Sequence, residues 1–106
     1  MNIGNGIKQA RQHFELSQVE LSEMTGIAQT SISQIESGAK EPSKKTIARI
    51  CAALEIPEMA LYVLGMEGTD VPSSRRGVYD ELYPAIKDFA KQVIGKRKSM
   101  LLEKKG

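Results

Sequence analysis

The sequence predicts an all-α protein, and three observations favour that class. No segment alternates apolar and polar residues with the two-residue period of a half-buried strand. Apolar residues instead recur at steps of three and four along several stretches. Those stretches begin at serines or a proline and end near glycines, as helices commonly do. With 106 residues, the chain has room for one modest helical domain and an arm.

The composition excludes several kinds of site. Tryptophan is absent and aromatic residues make up 5% of the chain, so the core must be aliphatic. One cysteine permits no internal disulfide, and with one histidine the usual zinc ligand sets cannot form. We therefore expect neither a metal nor another cofactor. No apolar run approaches the roughly 20 residues that span a bilayer, so we expect no membrane contact. The single cysteine fits a reducing, cytoplasmic location.

The first two helices have different local signals. The first has one apolar face, formed by Ile3, Ile7, Ala10 and Phe14. Its start is blurred by Gly4 and Gly6, since each glycine weakens a helix by about 1 kcal/mol relative to alanine. The second helix follows LSQVEL, in which Ser17 and Glu20 have the spacing of a capping box. Its expected apolar anchors are Val19, Leu21 and Met24.

Three more helices are predicted before residue 65. Gly26 suits the end of the second helix, and the third runs from about Gln29 to Ser37 before Gly38. Ser43 is a good cap for a fourth helix, and Pro57 suits the first turn of a short fifth one. The apolar face of the fourth helix is Ile47, Ile50, Cys51 and Leu54.

The remainder divides into a linker and an arm. Residues 65–78 are rich in glycine and serine and are predicted to be a linker after a domain at 1–64. Residues 79–106 are expected to form a C-terminal helix and a basic, frayed tail. An apolar seam in that helix consists of Tyr79, Leu82, Ile86, Phe89 and Val93. Pro84 must lie in the first turn of the helix or kink it.

The third helix has an unusual surface. Only Ile32 and Ile35 are suited to burial. The polar face of the helix is uncharged, although 26% of the residues in the chain are charged. That face offers Gln29, Thr30, Ser33 and Gln34. A glutamine can bond both N6 and N7 of adenine, and a threonine methyl suits that of thymine. The pattern indicates a surface that reads base edges, the alternative being a merely solvated polar helix.

These residues resemble a known family. QVELSEMTGIAQTSISQIESG, with IKQAR before it and AKEPSKKTIARICAALEI after it, is similar to the phage-repressor/Cro type of helix-turn-helix. The resemblance covers roughly residues 3–64. It implies a five-helix lambda-repressor-like domain that binds operator DNA, usually as a dimer. Four positions depart from the family pattern: Ser22 and Thr25 are more polar than usual, and Glu15 and Glu55 replace loop glycines.

The resemblance extends to individual positions. It implies base reading by Ala28, Gln29, Thr30 and Gln34, which Ser33 joins by its place on the same face. The expected phosphate contacts are Gln18, Ser31, Ser37, Lys40, Lys44 and Lys45. A charge at Arg11 or Glu36 would be unfavourable on the apolar side unless paired. We therefore expect an Arg11–Glu36 ion pair, the alternative being an Arg11 that projects to solvent.

The charge distribution indicates how such a domain would bind. Residues 1–65 hold six Lys and Arg against seven Asp and Glu, a net charge of −1, whereas residues 66–106 have +3. A single copy with so few cations would bind DNA weakly, which favours a homodimer on a palindrome. The 79–93 seam is the candidate dimer contact. It would otherwise pack on its own domain or bind another protein.

The sequence therefore predicts a transcriptional regulator, most simply a repressor that excludes polymerase from double-stranded DNA. An alternative is the antitoxin of a toxin–antitoxin pair, which would cover a toxin with residues 66–106 and regulate its own operon. An enzyme is disfavoured because neither a Ser/His/Asp nor a Cys/His set has enough members.

Overall fold

A computed structural model describes residues 1–95, and these residues contain α-helices, two short 3₁₀ turns and no strand. The helices are α1 (Ile3–His13), α2 (Gln18–Thr25), α3 (Gln29–Ser37), α4 (Lys44–Leu54), α5 (Glu58–Leu64) and α6 (Arg76–Gly95). The all-α prediction is confirmed. The basic tail predicted at 96–106 lies outside the described residues. No helix within 1–95 is long and apolar enough to cross a membrane.

The core of the described residues is aliphatic apart from Phe14 and Cys51. Its fully buried large side chains come from every helix of the first 64 residues: Ile7, Phe14, Leu21, Ile32, Ile50, Leu54, Leu61 and Leu64. One expected apolar anchor, Val19, is wrong because it is 54% exposed, and Met59 of α5 is likewise 68% exposed. Both satisfy the helical period, but they fall where no neighbouring helix covers them.

Helix α1 packs closely against α3 and α5 through glycines. A methyl group at Gly4 would lie 2.0 Å from the Ile35 carbonyl oxygen, and one at Gly6 would lie 2.4 Å from that of Leu61. Gly65 makes a third such approach, to the Asn2 carbonyl. The glycines that weaken the start of α1 are therefore what lets it contact two other helices.

The turn between α2 and α3 is held by side-chain hydroxyls. Ser17 and Glu20 form the predicted capping box, and Gly26 ends α2 in the left-handed conformation. Thr25 is buried; its hydroxyl donates to the Leu21 carbonyl at 2.7 Å and accepts from the Ile27 amide at 3.2 Å. Ser22 donates to the Ile27 carbonyl. The two polar departures from the family pattern thus satisfy backbone groups of the turn.

Two other turns use glutamate where glycine is usual. Glu15 and Glu55 have φ angles of 57° and 56°, which places both in the left-handed region. Non-glycine residues reach that region at about 1–2 kcal/mol. Each turn therefore keeps the backbone shape of a glycine turn at a local energetic disadvantage.

Residues 65–75 and α6 are more ordered than a free linker and arm. The segment contains 3₁₀ turns at Gly68–Asp70 and Ser73–Arg75, and Asn2 donates to the Gly65 carbonyl at 2.7 Å. The Met1 amino group bonds the Asp70 carboxylate, which lowers the pKa of Asp70. Helix α6 then begins at Arg76, three residues before the expected boundary at 79.

The described part of α6 lies against the body of the domain. The Tyr83 hydroxyl donates to the Val63 carbonyl at 2.6 Å, and Ile94 joins the core. Pro84 lies inside the helix and not in its first turn. Of the predicted seam, Tyr79 is half-buried and stacks on Tyr83. The other four seam residues are exposed: Leu82, Ile86, Phe89 and Val93.

Candidate nucleic-acid interface

Helix α3 presents its polar face to solvent. Ile32 and Ile35 are buried and fix which side of the helix faces the core. Ala28, Gln29, Thr30 and Gln34 are exposed, whereas Ser33 is half-buried at the edge of that face. The structure therefore brings four of the five expected base-reading residues onto open surface.

A buried ion pair lies directly behind this surface. The Arg11 guanidinium donates to both Glu36 carboxylate oxygens, from Nε at 2.7 Å and from Nη2 at 2.8 Å. Arg11 also donates to the Leu16 carbonyl at 2.7 Å. The two side chains are only 11% and 3% exposed. Such bidentate geometry is among the strongest forms of a charged pair, and it links α1 to α3.

Gln18 extends the ion pair to the surface. Its amide nitrogen donates to Glu36 Oε1 at 3.1 Å, and its amide oxygen accepts from Gln29 Nε2 at 2.8 Å. A continuous set of hydrogen bonds thus runs from Arg11 through Glu36 and Gln18 to Gln29. These hydrogen bonds determine the directions in which the amide oxygen and nitrogen of Gln18 and Gln29 point. The Gln29 carbonyl oxygen and one of its amide hydrogens are left for an outside partner.

The start of α3 has no side-chain cap. Ala28 occupies the N-cap position and offers no hydrogen-bond acceptor. The first backbone N–H groups of a helix then need another partner, and an anion meets that need as well as the positive end of the helix dipole. Ser31 is half-buried within this first turn. This end of α3 is suited to an anion.

The lysines lie beyond the other end of α3. Lys40, Lys44 and Lys45 are exposed, and the last two occupy the first turn of α4, after the Ser43 cap. Cations are unfavourable at a helix N-terminus, because they are repelled by the positive end of the helix dipole. An anion bound there would be attracted both by the lysines and by the dipole. Ser37 is exposed, but its hydroxyl donates to the Gln34 carbonyl at 3.1 Å.

Sequence reasoning missed the hydrogen bond between Gln18 and Gln29. The two residues are eleven positions apart on different helices. A pair of glutamines, one at the start of each helix of a helix-turn-helix, is the signal that could have indicated it.

Comparison with known proteins agrees with this geometry. A family model described as helix-turn-helix matches residues 7–61. The chain belongs to this helix-turn-helix family. The match covers most of α1, all of α2 to α4 and the first four residues of α5, which are the elements that carry and support the candidate interface. The resemblance to the phage-repressor/Cro type is confirmed.

Two kinds of relative are similar to this member of the family. An uncharacterized HTH-type transcriptional regulator of Mycobacterium tuberculosis is 30% identical over 93 residues, which cover 86% of this chain and 65% of the relative. The ImmF control region 10 kDa protein of Bacillus phage phi105 is 35% identical over 78 residues, 74% of this chain and 81% of the relative. This chain thus spans about two thirds of the mycobacterial relative. No solved structure matches it.

Proposed function

We propose that this protein is a sequence-specific DNA-binding transcriptional regulator that places α3 in the major groove. One observation carries the proposal: an exposed, uncharged face on α3 whose first glutamine is oriented by a buried ion pair. A solvated helix face has no need of an oriented side chain. A reader of base edges does, because hydrogen bonds to bases depend on which atom is presented.

The base-reading roles follow from the available atoms. Gln29 retains one donor and one acceptor, the pair that adenine N7 and N6 require. Gln34 presents the same chemistry five residues later, and Thr30 and Ala28 offer methyl groups to thymine. Ser33, which is partly buried, would contribute at the edge of the groove.

Phosphate contacts flank the reading face in the proposed complex. The uncapped start of α3, with Gln18 and Ser31, would bind the phosphates on one side of the groove. Lys40, Lys44 and Lys45 would bind those on the other side, and Ser37 would join them through a rearranged hydroxyl. Such contacts position the protein without specifying sequence.

We further propose that the protein binds a palindromic operator as a homodimer and represses by excluding polymerase. Support comes from the net charge of −1 over residues 1–65, which leaves one copy with few phosphate contacts. Two copies double the contacts and read two half-sites about one helical turn apart. The names of the relatives, a transcriptional regulator and a phage control-region protein, agree with a regulatory role.

Selection from a random duplex library at fixed, near-physiological salt tests the proposal. We expect a palindrome with half-sites about 10 base pairs apart. Gln29→Ala and Gln34→Ala should each cost about 1–3 kcal/mol of affinity and relax preference at one base step. Lys44→Ala should weaken all sequences alike. Gln12→Ala, an exposed glutamine on α1, is the matched control and should bind normally.

Two results would refute the proposed base reading. One is the absence of any enriched sequence for a protein that is folded by circular dichroism. The other is a uniform loss of affinity in the glutamine variants, indistinguishable from that of Lys44→Ala.

A further inference from the structure

An apolar groove runs along α6. It consists of two cavities, of about 210 Å³ and about 230 Å³, which share Ile86 and follow one another along the helix. The two together are called the α6 groove below. Small-molecule sites have volumes of roughly 300–1,000 Å³, and their lining is mostly apolar with a few placed polar groups. The size of the α6 groove therefore suits a small molecule.

The lining of the α6 groove is apolar on both sides. On one side α6 contributes Leu82, Phe89 and Val93, each of which is more than half exposed. The other side is formed by α5 and the segment after it, through Met59, Ala60, Val63, Met66 and Val71. Monomeric proteins rarely expose contiguous apolar patches larger than a few hundred Å² unless the patch binds something. An apolar ligand body would contact apolar side chains along the whole groove.

The α6 groove is long. On α6 its lining extends from Val78 to Ile94, over which an α-helix rises about 24 Å. A compact ligand would fill only one of the two cavities. An extended chain of methylene groups would occupy both, because the cavities meet at Ile86.

A single cation lies at one end of the α6 groove. Arg75 lines the second cavity, and none of the other described residues that line the two cavities is charged. Within residues 1–95 the Arg75 guanidinium has no hydrogen bond and no ion pair, whereas Arg76 beside it donates from Nε to the Gly68 carbonyl at 3.2 Å. A guanidinium forms its strongest hydrogen bonds with a carboxylate or a phosphate. This end of the groove is therefore suited to an anionic group.

We propose that the α6 groove binds a free long-chain carboxylate, such as a fatty acid, with its acyl chain along α6 and its carboxylate at Arg75. A molecule with one negative end and a long apolar body matches a lining with one cation at one end and no other charge. A helix of another protein would fill the apolar part but would leave Arg75 without a specified partner. The proposal goes beyond DNA binding and does not rest on it.

Titration of the isotopically labelled full chain with monomeric dodecanoate, followed by amide chemical shifts, tests the proposal. We expect the shifts to change at the residues that line the α6 groove. The dissociation constant should be about 1 mM or below, as ligand efficiency predicts for a molecule of this size. Hexanoate should bind at least tenfold more weakly, because it buries six fewer methylene groups. Dodecyltrimethylammonium has the same chain with a positive end and should bind at least about fivefold more weakly.

Variants separate the charged end of the α6 groove from its apolar part. Arg75→Gln should weaken dodecanoate about fivefold, the upper effect of one exposed ion pair, and should leave the affinity for dodecanol unchanged. Arg76→Gln is the matched control and should bind dodecanoate normally, because Arg76 lines neither cavity. Ile86→Glu should weaken both ligands at least tenfold. Since Ile86 is 49% exposed, this variant should retain the wild-type circular dichroism spectrum.

Three results would overturn the proposal. Unchanged shifts along the groove would leave this surface to another protein or to a second copy. Equal affinity for dodecanoate and dodecyltrimethylammonium would mean that the groove adsorbs apolar chains without recognising a carboxylate. Sedimentation of the chain with vesicles of phosphatidylglycerol would transfer the surface to a membrane. None of these results bears on base reading by α3, and a failed selection of DNA duplexes would leave carboxylate binding in place.

Discussion

Replacing Gly4 with alanine tests the close approach of α1 to α3. On helix propensity alone the change should be favourable, by up to about 1 kcal/mol. In the structure the new methyl group would lie 2.0 Å from the Ile35 carbonyl oxygen, a distance that real Cβ atoms essentially never show. The obstacle is backbone, which cannot rotate aside. Relief therefore requires that α1 and the end of α3 move apart.

The expected loss of stability follows from these opposing effects. Overfilling a packed site destabilises a protein by about 1–3 kcal/mol. Because the contact is with backbone we take the upper part of that range, so that after the gain in propensity the net loss is about 2 kcal/mol. In a domain of this size each kcal/mol corresponds to about 4–8 °C. Thermal unfolding followed by circular dichroism should thus show a midpoint about 8–16 °C lower.

Gly77→Ala is the matched control for this experiment. Gly77 is also the second residue of a helix, but a methyl group there would meet nothing within 4 Å. That variant should be as stable as the wild type or more stable by up to about 1 kcal/mol. If Gly4→Ala were equally stable, the packing of α1 on α3 would not be as close as described, and the reasoning would fail.

Three further predictions concern charge, burial and backbone conformation. Lys45→Glu should raise the free energy of unfolding by about 0.3–1 kcal/mol, because an acid favours a helix N-terminus, while DNA affinity and its salt dependence fall in a binding titration. Burial, assisted by Glu58, raises the pKa of the Cys51 thiol from 9.0 to about 11. The unfolded thiol then loses its proton first as the pH rises, so urea titrations should show stability declining between pH 9.0 and about 11, less steeply in Cys51→Ala. Glu55→Gly should stabilise the domain by up to about 1 kcal/mol in the same titration, since glycine relieves the left-handed strain. A destabilised variant would mean that the interactions of the Glu55 side chain contribute more to stability than its backbone strain costs.

Local signals in the sequence predicted most of the helical framework. The Ser17–Glu20 capping box, the left-handed Gly26 and Gly38, and the Ser43 cap all occur where the spacing placed them. Each depends on interactions within a few residues, which a sequence displays directly. The side of α3 that faces solvent could be predicted equally well, because two buried isoleucines determine which side faces the core.

Features that depend on which helices meet could not be predicted in the same way. Helical periodicity shows that Val19 and Met59 lie on apolar faces, but it does not show that no other helix covers them. From the sequence, the glycines of α1 could only be predicted to weaken the helix. Their role in close packing depends on the position of the α3 backbone, which the sequence does not show. The start of α6 at Arg76 was missed because its first turn contains an arginine and a glycine, which carry no apolar signal.

The set of hydrogen bonds from Arg11 to Gln29 has a consequence for the thermodynamics of recognition. A free glutamine side chain loses up to about 1.5–2 kcal/mol of rotamer entropy when it is immobilised. Here Gln18 and Gln29 are already ordered by the buried pair, so that loss belongs to folding and not to binding. A buried ion pair adds little net stability to a fold. This one would nevertheless keep small the side-chain entropy that the protein loses when it binds DNA. The heat and entropy of complex formation would then report mainly on released ions and water.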